Sequence, residues 1–397
     1  MRPRQTKPAA LALALVALAA TACDSPGGEA APPPDVPHGY VEGAEEAAEA
    51  QSRLVVADGD TGAVRVLDLI TEEVVELGAV PGVRDITDDG RYAYLTGDRG
   101  TRVVDSGSWR VDHGDHVHYY RADIREVGDL PGRTSGAHND TGVAAVSTSD
   151  GSATLFDRTA LDGGTLTEVG RAELAPGTAA VPYEAHVLTV SPDGAVRVLD
   201  RAGEATGTVE PSCPRPSGAA LTRRGVVFGC ADGALLVSED DGAFHGEKIP
   251  YPRPVGEDER AREFQQRPGS ATLAAKAGER GAWSLDLSDR KWTHVETGPV
   301  VAVNAVGEGG PLLALTADGV LHAHDPETGA ATAKTRVTER PVDTSGPLPV
   351  IRIDTTRAYV NDVDAGTIHE IDYNDSLRLA REFRLGGKAA HLAETGR

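Results

Sequence analysis

The chain has 397 residues, of which 40% are hydrophobic, so it is long enough to bury a sizeable core and is not disordered as a whole. Its 61 acidic and 39 basic residues give a formal net charge of −22, which argues against binding to nucleic-acid backbones and favours attraction of cations. Aromatic residues make up only 4%, so the core must be built mainly from Val, Leu, Ala and Ile.

Residues 1–22 are predicted to be an export signal. Three cations precede an apolar run of about a dozen residues, which is too short to span a bilayer stably. The run ends Ala20-Thr21-Ala22-Cys23, and small residues directly before a cysteine resemble a bacterial lipobox. We therefore expect Cys23 to be lipidated and to anchor the protein on the extracellular or periplasmic face of the cell membrane. Ordinary cleavage beside a chance cysteine is the alternative.

Residues 23–52 are predicted to be a flexible acidic tether. They are rich in Pro, Gly, Ala and Glu and lack the periodicity of a core-forming segment. The acidic stretch 42–49, with His38 upstream, would touch cations only weakly. A solvated spacer is therefore the favoured interpretation.

Residues 53–397 are predicted to form an all-β domain, a β-propeller. The repeated pattern is an apolar strand, a turn that often contains Asp-Gly, and a second apolar strand that ends in an acidic residue. These acidic ends average about 43 residues apart, a period typical of four-stranded propeller blades. They are Asp68, Asp105, Asp157, Asp200, Asp240, Asp286, Asp325 and Asp372.

Eight copies of the repeat favour eight blades. Seven blades is the alternative if the weak copy at 273–286 is misread. The first copy lacks a preceding strand, and Ala389–Glu394 is the candidate to supply it, so we expect the C-terminal strand to close the ring. Two insertions interrupt the period, at 107–123 and at 240–268.

Cys213 and Cys230 are expected to form a disulfide. An exported protein folds in an oxidising compartment, where two remaining cysteines pair by default. A zinc site built from these two alone would lack partners at the usual spacing.

Histidines are the candidate metal ligands. The insertion at 107–123 contains His116 and His118, which would project to the same face of an extended strand. Imidazoles placed in this way are good ligands for zinc, copper or nickel. The predicted zinc ligands are His116, His118, His138 and His186, with His113, His391 and Asp115 as alternates.

A structural role for these histidines is the competing interpretation. Pairs two residues apart often have no function, and a buried imidazole often bonds only a backbone carbonyl. His322 and His324 repeat the same spacing at the end of a predicted blade hairpin, where we interpret them as structural.

Common enzyme motifs are absent from the sequence: there is no GxSxG elbow, no Walker A loop, no HExxH and no helix-opening GxGxxG. Most paired acids stand at strand ends or in turns, where a structural role is expected. We therefore expect a protein that is not an enzyme. A propeller hydrolase or lyase whose acids converge on the channel remains open.

Several segments resemble periplasmic zinc metallochaperones of the AztD type. They are HGDHVHYYRADIREVG, PYEAHVLTVSPDG, the pair CPRPSG and VVFGCADG, and the ending AYVNDVDAGTIHEIDYNDSLRLAREF with HLAETGR. The resemblance covers residues 50–397. It implies a β-propeller that binds Zn²⁺ and passes it to the solute-binding protein of a zinc ABC importer, with His116, His118, His138 and His186 at ligand positions.

Two features depart from this family pattern. Ser217 stands where the relatives often have a histidine before the glycine, and the tether lacks a loop rich in His and Asp. The expectation from sequence is an exported, lipid-anchored, monomeric zinc carrier without nucleic-acid partners. The alternative is an exported propeller scaffold that recognises a protein or glycan and has no specific metal role.

Overall fold

The structure, a computed structural model, describes residues 41–112 and 116–397. The first part of the described chain contains β1 (Glu45–Ala47), β2 (Arg53–Asp58), β3 (Val64–Asp68), β4 (Val74–Leu77), β5 (Asp85–Asp88), β6 (Tyr92–Gly97), β7 (Gly100–Asp105), β8 (Ser108–Asp112), β9 (Val117–Arg121) and β10 (Arg125–Leu130).

The middle of the chain continues with β-strands and one short helix. Its elements are β11 (Thr134–Asn139), β12 (Val143–Thr148), β13 (Ser152–Asp157), α1 (Arg158–Asp162), β14 (Glu168–Glu173), β15 (Val181–Tyr183), β16 (His186–Val190), β17 (Val196–Leu199), β18 (Ala205–Val209), β19 (Ser217–Thr222), β20 (Gly225–Cys230), β21 (Gly233–Asp240) and β22 (Ala243–Pro250).

The last third of the chain is again built from strands. They are β23 (Thr272–Ala277), β24 (Gly281–Asp286), β25 (Lys291–Glu296), β26 (Val300–Ala305), β27 (Leu312–Thr316), β28 (Val320–His324), β29 (Ala331–Arg336), β30 (Ile351–Ile353), β31 (Ala358–Asp362), β32 (Thr367–Asp372), β33 (Arg378–Arg384) and β34 (Ala389–Thr395).

These strands form antiparallel sheets, and the fold is the predicted all-β propeller. Seven sheets have four strands, in the orders β34-β2-β3-β4, β10-β7-β6-β5, β11-β12-β13-β14, β15-β16-β17-β18, β19-β20-β21-β22, β26-β27-β28-β29 and β30-β31-β32-β33. An eighth sheet has the order β23-β24-β25, and Gln265 bridges Ala274 at its inner edge. In the first of these orders, β34 from the C-terminal end of the chain pairs with β2.

The hydrophobic core is divided among eight clusters in the described residues, and each cluster lies between two neighbouring sheets. One cluster joins Val55 of β2 to Leu95 of β6. Another joins Leu54 of β2 to Ile368 of β32. The sheet that contains β2 therefore packs on the sheet of β6 on one side and on the sheet of β32 on the other.

Most of the acidic residues that end strands in the sequence repeat form hydrogen bonds with the turns that follow them. Asp68 accepts hydrogen bonds from the backbone N–H groups of Ile70 and Thr71 at 3.0 Å each, which closes the turn after β3. This is the turn geometry that Asp side chains favour. The same kind of bond is made by Asp105, Asp157, Asp200, Asp286, Asp325 and Asp372.

A ninth sheet, separate from those above, has the order β1-β9-β8. Its hairpin β8–β9 is the insertion predicted at 107–123, and β1 belongs to the segment predicted as tether. Pairing joins Glu46 to Tyr120 and Ala47 to Tyr119. At least the end of the tether segment is therefore attached to the insertion; residues 1–40 lie outside the described residues.

In the described part of the chain, no helix is long and apolar enough to cross a membrane.

Candidate metal centre and central channel

The hairpin β8–β9 is fixed to the propeller at its base. Arg53 of β2 donates from Nη1 to the carbonyl oxygens of Ser106 at 2.5 Å and Ala122 at 3.2 Å. The indole of Trp109 lies 3.7 Å from the guanidinium carbon of Arg91, a cation–π contact, and stacks on Tyr120 with ring centroids 5.4 Å apart. Tyr120 is fully buried. The base of the hairpin is therefore packed against the propeller, which positions the side chains of β9.

His116 and His118 lie together on the hairpin. His116 directly precedes β9 and His118 lies within it, so both project to the side of the sheet on which Tyr120 is found. Their ring centroids are 4.9 Å apart and the rings meet edge to face. Both side chains are accessible to solvent, since His116 is exposed and the side chain of His118 is 24% exposed.

Glu46 of β1 holds the ring of His118. Its Oε1 lies 2.6 Å from Nδ1 of His118. A carboxylate oxygen accepts hydrogen bonds and does not donate them, so Nδ1 carries the proton. The other ring nitrogen, Nε2, is then the one with a lone pair for a metal ion. Two neighbouring imidazoles, one of them oriented by a carboxylate, are donors that suit Zn²⁺.

His138 and His391 occupy a different place, the wall of the central channel. The channel has a volume of about 2450 Å³, and strands β5, β11, β19, β26, β30 and β34 contribute to its lining. Burial lowers the pKa of His138 to about 4, so this imidazole is neutral at physiological pH. Burial also lowers the pKa of His391. Within the described residues, Nε2 of His391 has no hydrogen-bond partner.

His186 lies at the start of β16. Its Nδ1 is 2.8 Å from the carbonyl oxygen of Glu184, and its ring meets Phe244 edge to face with centroids 5.2 Å apart. The structure does not bring it to the His116–His118 pair. In residues 41–112 and 116–397, no group of three or more His, Cys, Asp or Glu side chains is arranged to hold a metal ion.

The predicted four-histidine ligand set therefore stays a prediction. Its alternates His113 and Asp115 lie outside the described residues. Among the named residues that the structure describes, His116 and His118 lie side by side. Ser217, at the position where the relatives often have a histidine, is buried, and Arg260 donates to its hydroxyl at 3.4 Å.

The channel also contains buried charges that the sequence did not single out. Glu394 of β34 is 1% exposed, and within the described residues its Oε1 has no hydrogen-bond partner. Burial raises its pKa to about 7, an effect opposed by Arg397 and Arg352. The sequence analysis places Glu394 on the candidate closing strand, but its burial depends on neighbouring sheets and leaves no local signal in the sequence.

The disulfide prediction is confirmed. Cys213 and Cys230 are bonded, and both side chains are fully buried in the core between two sheets. Cys213 lies in the connection before β19 and Cys230 ends β20.

Known proteins resemble this chain in fold and not closely in sequence. No protein-family model matches the chain, and no curated protein sequence matches it. Two structures of AztD from Citrobacter koseri, one of them the apo form, are 19% identical, cover 87% of this chain and 98% of their own, and give TM-scores of 0.71 and 0.70.

Two further solved structures are similar at a lower TM-score. The dihydro-heme d1 dehydrogenase NirN, in complex with DHE, is 15% identical over 87% of this chain and 75% of its own, with a TM-score of 0.55. Sqt1 of Chaetomium thermophilum, bound to the N-terminus of ribosomal protein L10, is 17% identical over 78% and 94%, with a TM-score of 0.51. These comparisons establish an AztD-type propeller fold.

Proposed function

We propose that this protein is an exported zinc carrier that binds Zn²⁺ at the His116–His118 pair and passes it to the solute-binding protein of a zinc ABC importer. The observation that carries the proposal is the contact of the two imidazoles, 4.9 Å apart between ring centroids on an accessible hairpin. The AztD-type fold supports the same role.

Release by ligand exchange suits this arrangement. A closed structural zinc site has four protein ligands, whereas a site with open positions accepts an incoming ligand from a partner. The proposed site uses the two imidazoles of the described hairpin and leaves its other positions for water or for a ligand of the receiving protein. The formal net charge of −22 favours the approach of a cation.

His138 and His391 are assigned no ligand role in this mechanism. Both are in the channel wall, where burial favours the neutral imidazole. His186, which contacts Phe244, is also left out. The proposed role is binding and transfer by exchange of metal–ligand bonds, without covalent chemistry on a substrate.

Lipidation of Cys23 completes the proposal. A short tether between the anchor and the propeller would confine the carrier to the membrane surface. Confinement raises the effective concentration of the carrier near an importer in the same membrane.

The decisive test is a competition titration against a fluorescent zinc chelator. His118→Ala is expected to weaken zinc binding by more than tenfold, since it removes one of two imidazole ligands. His322→Ala is the matched control, because His322 and His324 form a second pair two residues apart, with ring centroids 6.1 Å apart. Thermal melts of the metal-free proteins check that both variants fold.

Unchanged affinity in His118→Ala would rule out this site. Equal losses of zinc affinity in His118→Ala and His322→Ala would indicate general damage to the fold and would not support a specific site at the His116–His118 pair.

The central channel supports a second candidate, a scaffold for a polar small molecule. It rests on the volume of about 2450 Å³ and on the unpartnered Glu394 Oε1 and His391 Nε2 of the described chain. Stoichiometric zinc in the purified protein that is lost in His118→Ala supports the carrier. Purified protein without zinc, even after incubation with excess metal, supports the scaffold.

A further inference from the structure

We propose that Glu46 sets the tautomer of His118 and thereby makes the zinc affinity of the His116–His118 pair depend on the docking of β1. This inference rests on the proposed zinc-carrier function and identifies how the site would be regulated. It concerns a residue that lies before the propeller, in the segment that leads to the membrane anchor.

The geometry places Glu46 next to His118 through strand pairing. Glu46 is directly opposite Tyr120 in the β1–β9 pair, and His118 is two residues before Tyr120 on the same face of β9. This diagonal neighbour is within reach of a long side chain. The result is the 2.6 Å contact between Oε1 of Glu46 and Nδ1 of His118.

The chemical effect of this contact is on the opposite nitrogen. A carboxylate that accepts from Nδ1–H keeps Nε2 unprotonated and makes it a stronger donor to a metal ion. Removal of such a partner from a metal-binding histidine typically weakens metal binding by about 10- to 100-fold. Glu46 is thus a positioning residue that acts through His118.

A short edge strand such as β1 is suited to act as a switch, because such elements open locally at low free-energy cost. In the described residues, the strand is three residues long, lies at the edge of its sheet and pairs only with β9. When β1 leaves β9, Glu46 leaves with it, and the affinity of His118 for zinc falls. By linkage, bound zinc must strengthen the docking of β1 by the same factor.

This coupling gives a route for release at the receiving protein. A partner that draws β1 away, or takes its place as a strand on the exposed edge of β9, would lower zinc affinity at the moment of transfer. The carrier would keep its metal in solution and lose it at the docking surface.

The experiment uses the full-length protein and three substitutions. Glu46→Ala is expected to weaken zinc binding about 10- to 100-fold in the chelator competition. Glu46→Gln is expected to have a zinc affinity between those of the wild type and Glu46→Ala, because its amide oxygen still accepts from Nδ1–H but carries no charge. Glu45→Ala is the matched control: it removes the same charge from the same strand, and its side chain points to the other face.

Two readouts do not depend on zinc transfer. Nitrogen-15 NMR of the metal-free protein is expected to show the His118 proton on Nδ1 in the wild type and on Nε2 in Glu46→Ala. Hydrogen exchange at residues 45–47 is expected to slow when zinc is added to the wild type and not when it is added to His118→Ala.

Unchanged zinc affinity in Glu46→Ala would overturn the inference, and so would equal losses in Glu46→Ala and Glu45→Ala. Retention of the Nδ1 proton in Glu46→Ala would overturn the tautomer role. If the wild type binds no zinc, the proposed function and the affinity claim both fail, while the NMR measurement on that sample still decides whether Glu46 orients His118.

Discussion

Glu394 is a buried carboxyl group, and its burial disfavours the ionised form. It is 1% exposed, and its pKa is raised to about 7, first by loss of water and then by the nearby Asp354 and Asp88. Arg397 and Arg352 oppose the rise without cancelling it. The folded protein therefore binds a proton here that the unfolded chain releases at lower pH.

The stability of the protein should consequently fall as this proton is lost. The contribution of Glu394 is fully present below the unfolded pKa, which is 4.5 for glutamate, and disappears as pH rises through about 7. A shift of this size corresponds to about 3 kcal/mol. Glu394→Gln should shrink the difference in unfolding free energy between pH 5 and pH 8, measured by denaturant titration. If the unfolding free energy changes between pH 5 and pH 8 by the same amount in the variant and the wild type, the raised pKa is contradicted.

The contact of Glu46 with His118 illustrates what a sequence cannot predict at this scale. The closeness of His116 and His118 follows from the two-residue period of a strand. The contact with Glu46 joins residues 72 apart and depends on β1, whose sequence Glu-Glu-Ala has low strand propensity. Pairing with β9 overrides that propensity, and nothing local signals it.

At the scale of elements, the disulfide links the connection before β19 to the end of β20. The two cysteines are 17 residues apart in sequence, and both are fully buried. A cross-link that closes a loop of this length stabilises a fold by about 3 kcal/mol, chiefly by restricting the unfolded chain.

Replacement of both cysteines should reveal this contribution. The double variant Cys213→Ala, Cys230→Ala should unfold at lower denaturant concentration, with a loss of about 3 kcal/mol. Cys23→Ala is the control, since it changes the remaining cysteine of the chain and should keep the wild-type midpoint. A double variant as stable as the wild type would show that burial alone holds this region.

Strand positions were largely predictable because turn chemistry repeats. Asp-Gly turns and strand-ending acids recur at a near-constant period, and the acids bond the backbone of the turn that follows, as Asp286 does with Ser288 at 2.7 Å. The bond joins residues only two apart in sequence, so a local pattern is enough to predict the turn. The β8–β9 hairpin and β1 break the period, and their sheet was not predicted.

At the scale of the whole molecule, the eight core clusters of the described chain make each of the eight sheets that they join dependent on two neighbours. Leu392 of β34 lies in the cluster that joins the sheet of β2 to the sheet of β32, and it is fully buried. A cavity at this position would weaken the interface between the two ends of the chain.

Leu392→Ala should therefore lower the free energy of unfolding by about 2–5 kcal/mol. Leu379→Ala is the matched control on β33, because Leu379 is 45% exposed and should change the free energy by less than about 0.5 kcal/mol. Denaturant unfolding followed by circular dichroism measures both. If both variants change the free energy of unfolding by a similarly small amount, the β34 interface contributes little to stability.

The pairing of β2 with β34 has a consequence for biosynthesis. Thr395 bonds the backbone of Arg53 across 342 residues of sequence. At about 5–20 residues per second, the ribosome needs roughly 20–70 s to make the chain between them. Throughout that interval one edge of β2 has no strand beside it, and such an edge is a template for aggregation. A cell that makes this protein must therefore keep the emerging chain shielded until its last strand is delivered.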